Sequence, residues 1–264
     1  MIDRTAHISP DAKIGRNVTI GAYTQIFGDV VIEDNCIIQN YCSIGEANLR
    51  GEIGLVIPHG STIRSHTVIY QGSQLGPQLE TGHHVVIREG TIAGENLRVG
   101  NFSDIEGDCT IGDFCRFHGY THIGKGTKIG DFVWIFSLST ATNDPLPPSL
   151  VSAPVTIQSG AVVCVGVTLM PGCTIGTGAF LSAGARVMGC VPDGAVVAPN
   201  GEIVSHVTKL MNLSAGIRHP WMLHAKEIFP ARTHDRIDAL YQQIKASQIQ
   251  PTSKITDASS GSPL

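Results

Sequence analysis

The stretch His7–Asn48 reads HISPDA-KIGRNV-TIGAYT-QIFGDV-VIEDNC-IIQNYC-SIGEAN, which is seven consecutive blocks of six residues. The second residue of every block is isoleucine, from Ile8 to Ile44. This period is neither the 3.6 residues of an α-helix nor the simple alternation of an amphipathic strand. It indicates a short strand followed by a turn, with one large apolar side chain directed inward per block.

The same period returns twice. Fourteen further blocks run from Thr62 to Pro145, and six more cover Thr156–Val191. The second position is Leu, Ile, Val or Phe in twenty-four of the twenty-seven blocks, and the exceptions are Thr81, Ala93 and Ala141. Three such blocks can close a triangular coil whose neighbours pair as parallel strands about 4.8 Å apart. The sequence therefore predicts nine coils.

Two interruptions and the C-terminal part of the chain lie outside this pattern. Leu49–Ser61 and the proline-rich Asp144–Val155 are predicted to be loops leaving a corner, the second of them extended. The apolar run Leu55–Ile57 in the first loop is expected to need a partner surface. After Val191 the repeats are expected to end, which gives a coil domain over 1–201, a helical segment over 202–246 and a disordered tail over 247–264. The predicted short helices are Ile203–Leu213 and Thr233–Ala246, the latter with Thr233 as N-cap, and both are expected to cap the open end.

Composition narrows the class of protein. The formal charge of −4 gives no reason to expect nucleic acid or an anionic membrane as a partner. The N-terminus lacks the apolar segment of a secretory signal, and no run approaches the ~18 apolar residues of a membrane span. Seven cysteines without a CxxC pair favour a reducing cytoplasm. Five of them occupy the small sixth position of a block and are expected to be buried packing thiols: Cys36, Cys42, Cys109, Cys115 and Cys173.

The period also predicts which side chains stack. Residues eighteen apart should occupy the same place on neighbouring coils, about 5 Å apart. His83, at the fourth position of its block, should lie between Ser65 and Asn101. The column of His84, at the fifth position, should hold His66, Phe102 and Tyr120.

A second set of stacked residues brings charge to the same coils. Asp104 and His122 should form a carboxylate–imidazole pair, and Arg88 should lie under Glu106 as an ion pair. A single outward histidine is more often a solvated surface residue, and a structural ladder pair would equally explain Arg88 and Glu106. The concentration of these histidines and charged residues, with His118 and Tyr120 nearby, favours a functional site, because only 15% of the residues in the chain are charged.

Two segments resemble a known family. The stretch from Thr81 to Ser149, which begins TGHHVVIREGTIAG and ends TNDPLPPS, resembles the sugar N-acetyltransferases of the hexapeptide-repeat family. GCVPDGAVVAPNG, at Gly189–Gly201, is similar to the segment that ends their coil domain, although the usual Gly-Asn-Pro-Ala appears here as Pro-Asn-Gly. The resemblance implies an all-β, left-handed parallel β-helix with a short α-helical C-terminal segment. It also implies a cytoplasmic homotrimer that transfers an acetyl group from acetyl-CoA to the amine of a nucleotide-linked amino-deoxysugar.

The resemblance assigns roles to individual residues. In the family, a histidine at block position four takes the proton from the acceptor, and His83 matches that slot. An imidazole suits this task because it can accept a proton near neutral pH. CoA contacts are expected from the Asn143–Ser149 loop, with Asn143 as a candidate, although TNDPLPP would equally suit a structural turn; no metal is expected. The remaining candidates are expected to bind substrate: His84, Arg88, Asp104, Glu106, His118, Tyr120 and His122.

Three other hypotheses compete. A γ-class carbonic anhydrase binds zinc with three histidines, but its His-x4-His would begin at His83 and end at Arg88, and a guanidinium in a ligand slot argues against Zn²⁺. UDP-N-acetylglucosamine O-acyltransferase is the runner-up, because the opening MIDRTAHISPDA and the block SIGEAN resemble it. A non-catalytic β-helix scaffold predicts inert polar residues at the outward positions, unlike the cluster around His83.

Overall fold

A computed structural model describes residues 1–212 and 216–247 of the chain. It divides into two compact units, Met1–Lys128 and Ile129–Leu264, which are taken in turn. Apart from Ser247, the tail that the sequence predicts to be disordered lies outside the described residues.

The first unit is built of very short strands at six-residue intervals. They are β1 (His7–Ile8), β2 (Lys13–Ile14), β3 (Thr19–Ile20), β4 (Gln25–Ile26), β5 (Val30–Ile32), β6 (Ile37–Ile38), β7 (Ser43–Glu46), β8 (Leu55–Ile57), β9 (Thr62–Ile63), β10 (Val68–Tyr70), β11 (Gln74–Leu75), β12 (Glu80–Thr81), β13 (Val86–Ile87), β14 (Ile92–Ala93), β15 (Arg98–Val99), β16 (Asp104–Ile105), β17 (Thr110–Ile111), β18 (Arg116–Phe117), β19 (His122–Ile123) and β20 (Lys128–Ile129).

Each strand of this unit pairs in parallel with the strand three places further along the chain, as in a β-helix. One side runs β1-β4-β7-β10-β13-β16-β19, a second runs β3-β6-β9-β12-β15-β18, and the third is split into β2-β5-β8 and β11-β14-β17-β20. The inward isoleucines of the ladder are buried from Ile20 onward, whereas Ile8 and Ile14 in the first coil are half-buried. Thr81 and Ala93, the exceptions to the pattern in this unit, are also buried in the core. The predicted triangular coil is confirmed.

The turns between sides use a backbone conformation that the sequence pattern does not reveal. The fifth residue of a block lies in the left-handed region even where it is not glycine, for example at Tyr41, His84 and Phe102 with φ of 59°, 55° and 56°. This region is uncommon for bulky side chains. Here each such side chain stacks on the same position of the next coil.

The second unit continues the pattern with ten parallel strands and then departs from it. The strands are β21 (Trp134–Ile135), β22 (Thr140–Ala141), β23 (Thr156–Ile157), β24 (Val162–Val163), β25 (Thr168–Leu169), β26 (Thr174–Ile175), β27 (Phe180–Leu181), β28 (Arg186–Val187), β29 (Cys190–Val191), β30 (Ala195–Val197), β31 (Ile203–His206), β32 (Met211–Asn212) and β33 (Ile217–Arg218). The last two form a short antiparallel pair.

The C-terminal segment is less helical than expected. The helix predicted over Ile203–Leu213 is wrong, because Ile203–His206 forms β31, which pairs antiparallel with β30. Short 3₁₀ turns follow at Val207–Lys209, Trp221–Leu223, Lys226–Ile228 and Ala231–Thr233. The other predicted helix is present as α1 (His234–Ala246), with Thr233 at its N-cap.

The position of α1 also differs from the expectation that it caps the open end. Leu240 packs against Gly160 and Ile244 against Gly178, two corners eighteen residues apart in successive coils. Both glycines have positive φ, and a Cβ on either would meet these side chains at 2.6 Å or less. The helix therefore lies along a corner of the second unit, while β31 covers the edge of β30.

Three strands exceed the twenty-seven that the blocks predict. They are β8, β29 and β30, so that β1–β30 make ten sets of three sides and not nine. The parallel ladder continues past Val191, since β30 still pairs in parallel with β27, inside the coil domain predicted over 1–201. No helix among the described residues has the length and hydropathy needed to cross a bilayer.

The first interruption is only partly a loop. Leu55–Ile57, expected to need a partner surface, is β8 and pairs with β5, with Leu55 and Ile57 buried in the core. Its apolar character therefore reflects the β-helix itself and gives no support to a trimer. The five cysteines expected in the interior are buried and free, and burial raises the pKa of the Cys109 thiol to about 11.

Candidate functional site

His83 lies at the corner that follows β12 in the first unit. Its Nδ1 is 2.8 Å from Ser65 Oγ on the coil below, and its backbone N–H donates to Asn101 Oδ1 on the coil above at 2.8 Å. The predicted column is confirmed. One ring nitrogen is thereby fixed by Ser65, and within the described part of the chain Nε2 makes no hydrogen bond that would prevent it from meeting a substrate.

His84 belongs to a ladder of stacked rings along the same corner. Its ring centroid is 4.4 Å from that of His66 and 4.9 Å from that of Phe102. The predicted column of four rings is confirmed up to Tyr120, and it extends two coils further down, to Tyr41 and Tyr23. The rings cover one another's faces, so their edges form the outer surface of this corner.

Asp104 and His122 form the predicted pair on the next side. They are Cα partners in β16 and β19, and His122 Nδ1 donates to Asp104 Oδ2 at 2.8 Å. This hydrogen bond raises the pKa of His122 above its ordinary value of 6.5, against the opposing effect of partial burial. The arrangement fixes the proton on Nδ1 and leaves Nε2 as the basic nitrogen when the ring is neutral.

Arg88 does not pair with Glu106, contrary to the sequence prediction. Its guanidinium donates to both oxygens of Glu89, at 2.9 and 3.1 Å, and lies over the Tyr70 ring. Glu89 is the better partner because it is buried. Burial alone would raise the pKa of Glu89, and the hydrogen bonds from Arg88 hold that pKa below its usual value.

The Glu106 carboxylate lies next to the Asp104–His122 pair instead. One ligand atom each from Asp104, Glu106 and His122 can be chosen so that all three lie within 4.8 Å of one another, a separation that would allow them to hold a metal ion. This set of two carboxylates and one imidazole differs from the three histidines of a γ-class carbonic anhydrase.

His118 and Tyr120 lie two coils above His83, on the coil that follows that of Asn101. Tyr120 ends the ring ladder, as described. His118 is exposed at block position three, and the surrounding protein partly desolvates its ring and so lowers the pKa of His118. Its backbone oxygen accepts hydrogen bonds from Ser103 and Thr121. These two residues thus flank the same corner as His83.

Asn143 lies in the second unit, at the start of the proline-containing loop. Its backbone oxygen accepts a hydrogen bond from Ala153, while Asp144 accepts from the backbone and hydroxyl of Ser149. These bonds close the loop on itself without helix or strand, which confirms the absence of regular structure expected for Asp144–Val155 but not its extended course. The role of Asn143 in binding CoA stays a prediction.

The sequence pattern did not indicate that Arg50, in the first interruption of the repeat (Leu49–Ser61), would contact the coil that carries Asp104 and Glu106. Arg50 makes a bidentate ion pair with Asp108, both contacts at 2.6 Å, although fifty-eight residues separate them. Asp108 also pairs with Lys125 at 3.5 Å. Arg50 lies in a stretch without repeat, so the eighteen-residue spacing carries no signal for it.

Comparison with known proteins supports this picture. Residues 11–46 match the family described as bacterial transferase hexapeptide (six repeats). A UDP-N-acetylglucosamine acyltransferase from Arabidopsis shares the fold, with a TM-score of 0.50 and 16% identity over 93% of this chain and 95% of that one. No curated protein matches the sequence.

Two further solved structures are similar at lower scores. A UDP-N-acetylglucosamine acyltransferase from Campylobacter jejuni has a TM-score of 0.46 and 19% identity, covering 92% of this chain and 76% of that one. A UDP-N-acetylglucosamine O-acyltransferase from Moraxella catarrhalis has a TM-score of 0.38 and 23% identity, covering 55% of this chain and 70% of that one.

The match of residues 11–46 confirms the hexapeptide repeat of bacterial transferases, and the Arabidopsis enzyme shows that the fold is shared. The chain has the left-handed parallel β-helix seen in that enzyme, followed within the described residues by one C-terminal α-helix.

Proposed function

We propose that this protein transfers an acetyl group from acetyl-CoA to the amine of a nucleotide-linked amino-deoxysugar. Support comes from the hexapeptide-transferase match of residues 11–46, from the fold shared with a UDP-N-acetylglucosamine acyltransferase, and from the resemblance of Thr81–Ser149 to amino-sugar N-acetyltransferases. The observation that carries the proposal is the hydrogen-bonded His83 on a coil corner, with Asp104 and His122 on the adjoining side.

The reaction needs a group that accepts a proton. The amine attacks the thioester carbonyl, a C–N bond forms, and the C–S bond breaks as the thiol leaves with a proton. Imidazole is suited to take a proton from the amine nitrogen as it attacks and to return it to the departing sulfur. His83 is proposed as this base because Ser65 fixes its ring through Nδ1 and leaves Nε2 available to an acceptor.

The neighbouring residues are proposed to bind the sugar. His84 and Tyr120 would offer ring edges and His118 an imidazole, while Asp104 and His122 would hydrogen-bond hydroxyl groups. Arg88 and Glu106 would bound the site on its other side. Asn143 is proposed to contact CoA, and the protein is proposed to act as a cytoplasmic homotrimer.

The deciding experiment is a substrate panel. Purified protein is incubated with acetyl-CoA and each of several dTDP- and UDP-linked amino sugars, and thiol release is followed spectroscopically. The proposal predicts turnover with at least one amino sugar and none with UDP-N-acetylglucosamine, which offers only hydroxyl groups. Turnover confined to hydroxyl acceptors or to longer acyl chains on carrier protein would favour the O-acyltransferase alternative. Failure to bind acetyl-CoA in calorimetry would favour the scaffold.

A further inference from the structure

Three possible metal ligands form one outward patch on the first unit. Asp104 and His122 are Cα partners on β16 and β19, and Glu106 follows Asp104 by two residues, so that both side chains leave the same face of the chain. One ligand atom from each of the three residues lies within 4.8 Å of the others. Within the part of the chain that the structure describes, no other group of three His, Cys, Asp or Glu residues meets this distance.

The Glu106 carboxylate is the member of this patch that the fold itself does not use. It makes no hydrogen bond and no ion pair with the described residues, although it is only partly exposed. The coil above has Gly124 at the same block position and offers no side chain. Arg88, at that position on the coil below, donates to both oxygens of Glu89 instead. Glu106 therefore lies beside the carboxylate of Asp104 without a bound cation, an arrangement that a cation would stabilise.

The imidazole of His122 distinguishes this patch from an ordinary group of acidic side chains. His122 Nδ1 and Asp104 Oδ2 are 2.8 Å apart. Two ligands bonded to one Zn²⁺ ion at about 2.0–2.2 Å also lie roughly 3 Å apart, so that an ion can replace the proton between these two atoms with little movement. Imidazole nitrogen is a good ligand for Zn²⁺, whereas Mg²⁺ and Ca²⁺ prefer oxygen ligands.

We propose that Asp104, Glu106 and His122 bind a divalent transition-metal ion, for which Zn²⁺ is the best-matched example. The two carboxylates balance the charge of the ion, and the neutral imidazole supplies a nitrogen ligand. Three protein ligands on a partly exposed surface leave at least one further coordination position to water.

The ion is not a participant in the proposed transfer reaction. In that reaction Asp104 and His122 hydrogen-bond hydroxyl groups of the sugar, and an ion held by the same atoms would exclude those hydroxyl groups. A bound ion would therefore inhibit the transfer. This consequence rests on the proposed function, but the binding of the ion does not.

Metal binding to the full chain can be measured without any transfer reaction. Protein treated with a chelator is titrated separately with Zn²⁺ and Mg²⁺ in calorimetry, and the imidazole signals of His122 are followed by NMR. The test variants are Glu106→Gln, which keeps the shape of the side chain, and His122→Gln. Glu33→Gln and His59→Gln are the matched controls. Glu33 and His59 form another carboxylate–imidazole pair of the first unit, at 3.6 Å, to which the described residues add no third ligand.

We expect one Zn²⁺ ion per chain to bind at this patch and shift the His122 signals, and Mg²⁺ to leave them unchanged at the same concentration. Glu106→Gln and His122→Gln should weaken this binding by at least about tenfold, and both controls should bind like the wild type. Unchanged His122 signals with Zn²⁺, equal binding of Mg²⁺, or wild-type affinity in Glu106→Gln overturns the proposal. Zn²⁺ binding by a protein that turns over no amino sugar refutes only the proposed transferase activity.

Discussion

The coils of His7–Asn48 and those of Glu80–Thr127 share one backbone plan but present different outer surfaces. In the first set, which we call the N-terminal coils, outward residues satisfy one another along the column, as in Arg16–Asp34 and Asn17–Asn35. In the second set, the site coils, a carboxylate meets a titratable imidazole, as in Asp104–His122, and two cations are neighbours on paired strands, as in Arg98 and Arg116. The inward positions are isoleucine throughout the N-terminal coils and apolar, apart from Thr81, in the site coils, so fold and chemistry occupy different positions of the same block.

The largest effect that would separate the two sets is on catalysis. His83→Ala should lower kcat by about 10²- to 10⁴-fold, because general base catalysis contributes that much. His7, an exposed histidine at block position one of the N-terminal coils, provides the control, and His7→Ala should leave turnover unchanged. Steady-state kinetics on the best amino-sugar substrate measures both, and near-normal kcat in His83→Ala would remove this residue as the base.

A second comparison should show no difference between the sets. Ile26 in the N-terminal coils and Ile105 in the site coils are both fully buried. Replacing either with alanine should lower the free energy of unfolding by about 2–5 kcal/mol, from lost burial and the cavity left behind. The outward Ile37, 46% exposed, should cost well under half as much on the same change. Equal losses at Ile37 and Ile26 in urea unfolding would contradict the assignment of inward and outward positions.

The smallest expected effect is a pH dependence confined to the site coils. Because Asp104 raises the pKa of folded His122 above 6.5, the charged pair stabilises the fold below that pH and the contribution is lost as pH rises through the folded pKa. Asp104→Asn should therefore destabilise the protein more at pH 5.5 than at pH 8, by about 1 kcal/mol or less since both groups are partly exposed. In NMR titration the pKa of His122 should fall in the variant. An unchanged titration would show that Asp104 does not act on His122.

Much of the candidate site was predictable because stacking follows from the period. The spacing of eighteen places Asp104 by His122 and Ser65 by His83, and both contacts are present. The same spacing also places Glu80, Arg98 and Arg116 in one column. It failed for Arg88, because spacing fixes which Cα atoms are neighbours but not which rotamer a long side chain adopts. Glu89, adjacent in sequence and buried, is the closer partner.

Segments without the repeat were predicted less well. Leu55–Ile57 interrupts the period in sequence but not in space, because the residues before it form a loop that lets the chain rejoin β5 as β8. Ile203–His206 carries a pattern compatible with a short helix, yet the unpaired edge of β30 offers backbone hydrogen bonds that favour a strand. In both cases a tertiary partner decided between two locally acceptable conformations.

By itself, the sequence determined the coil. The apolar residue at the second position of each block is buried when the chain returns on itself after three blocks. This return sets which residues are neighbours. Only the tertiary structure decided the ion-pair partners, the extra coil and the course of the C-terminal segment. Those features depend on side-chain reach and on backbone edges left open elsewhere in the fold, which no local pattern encodes.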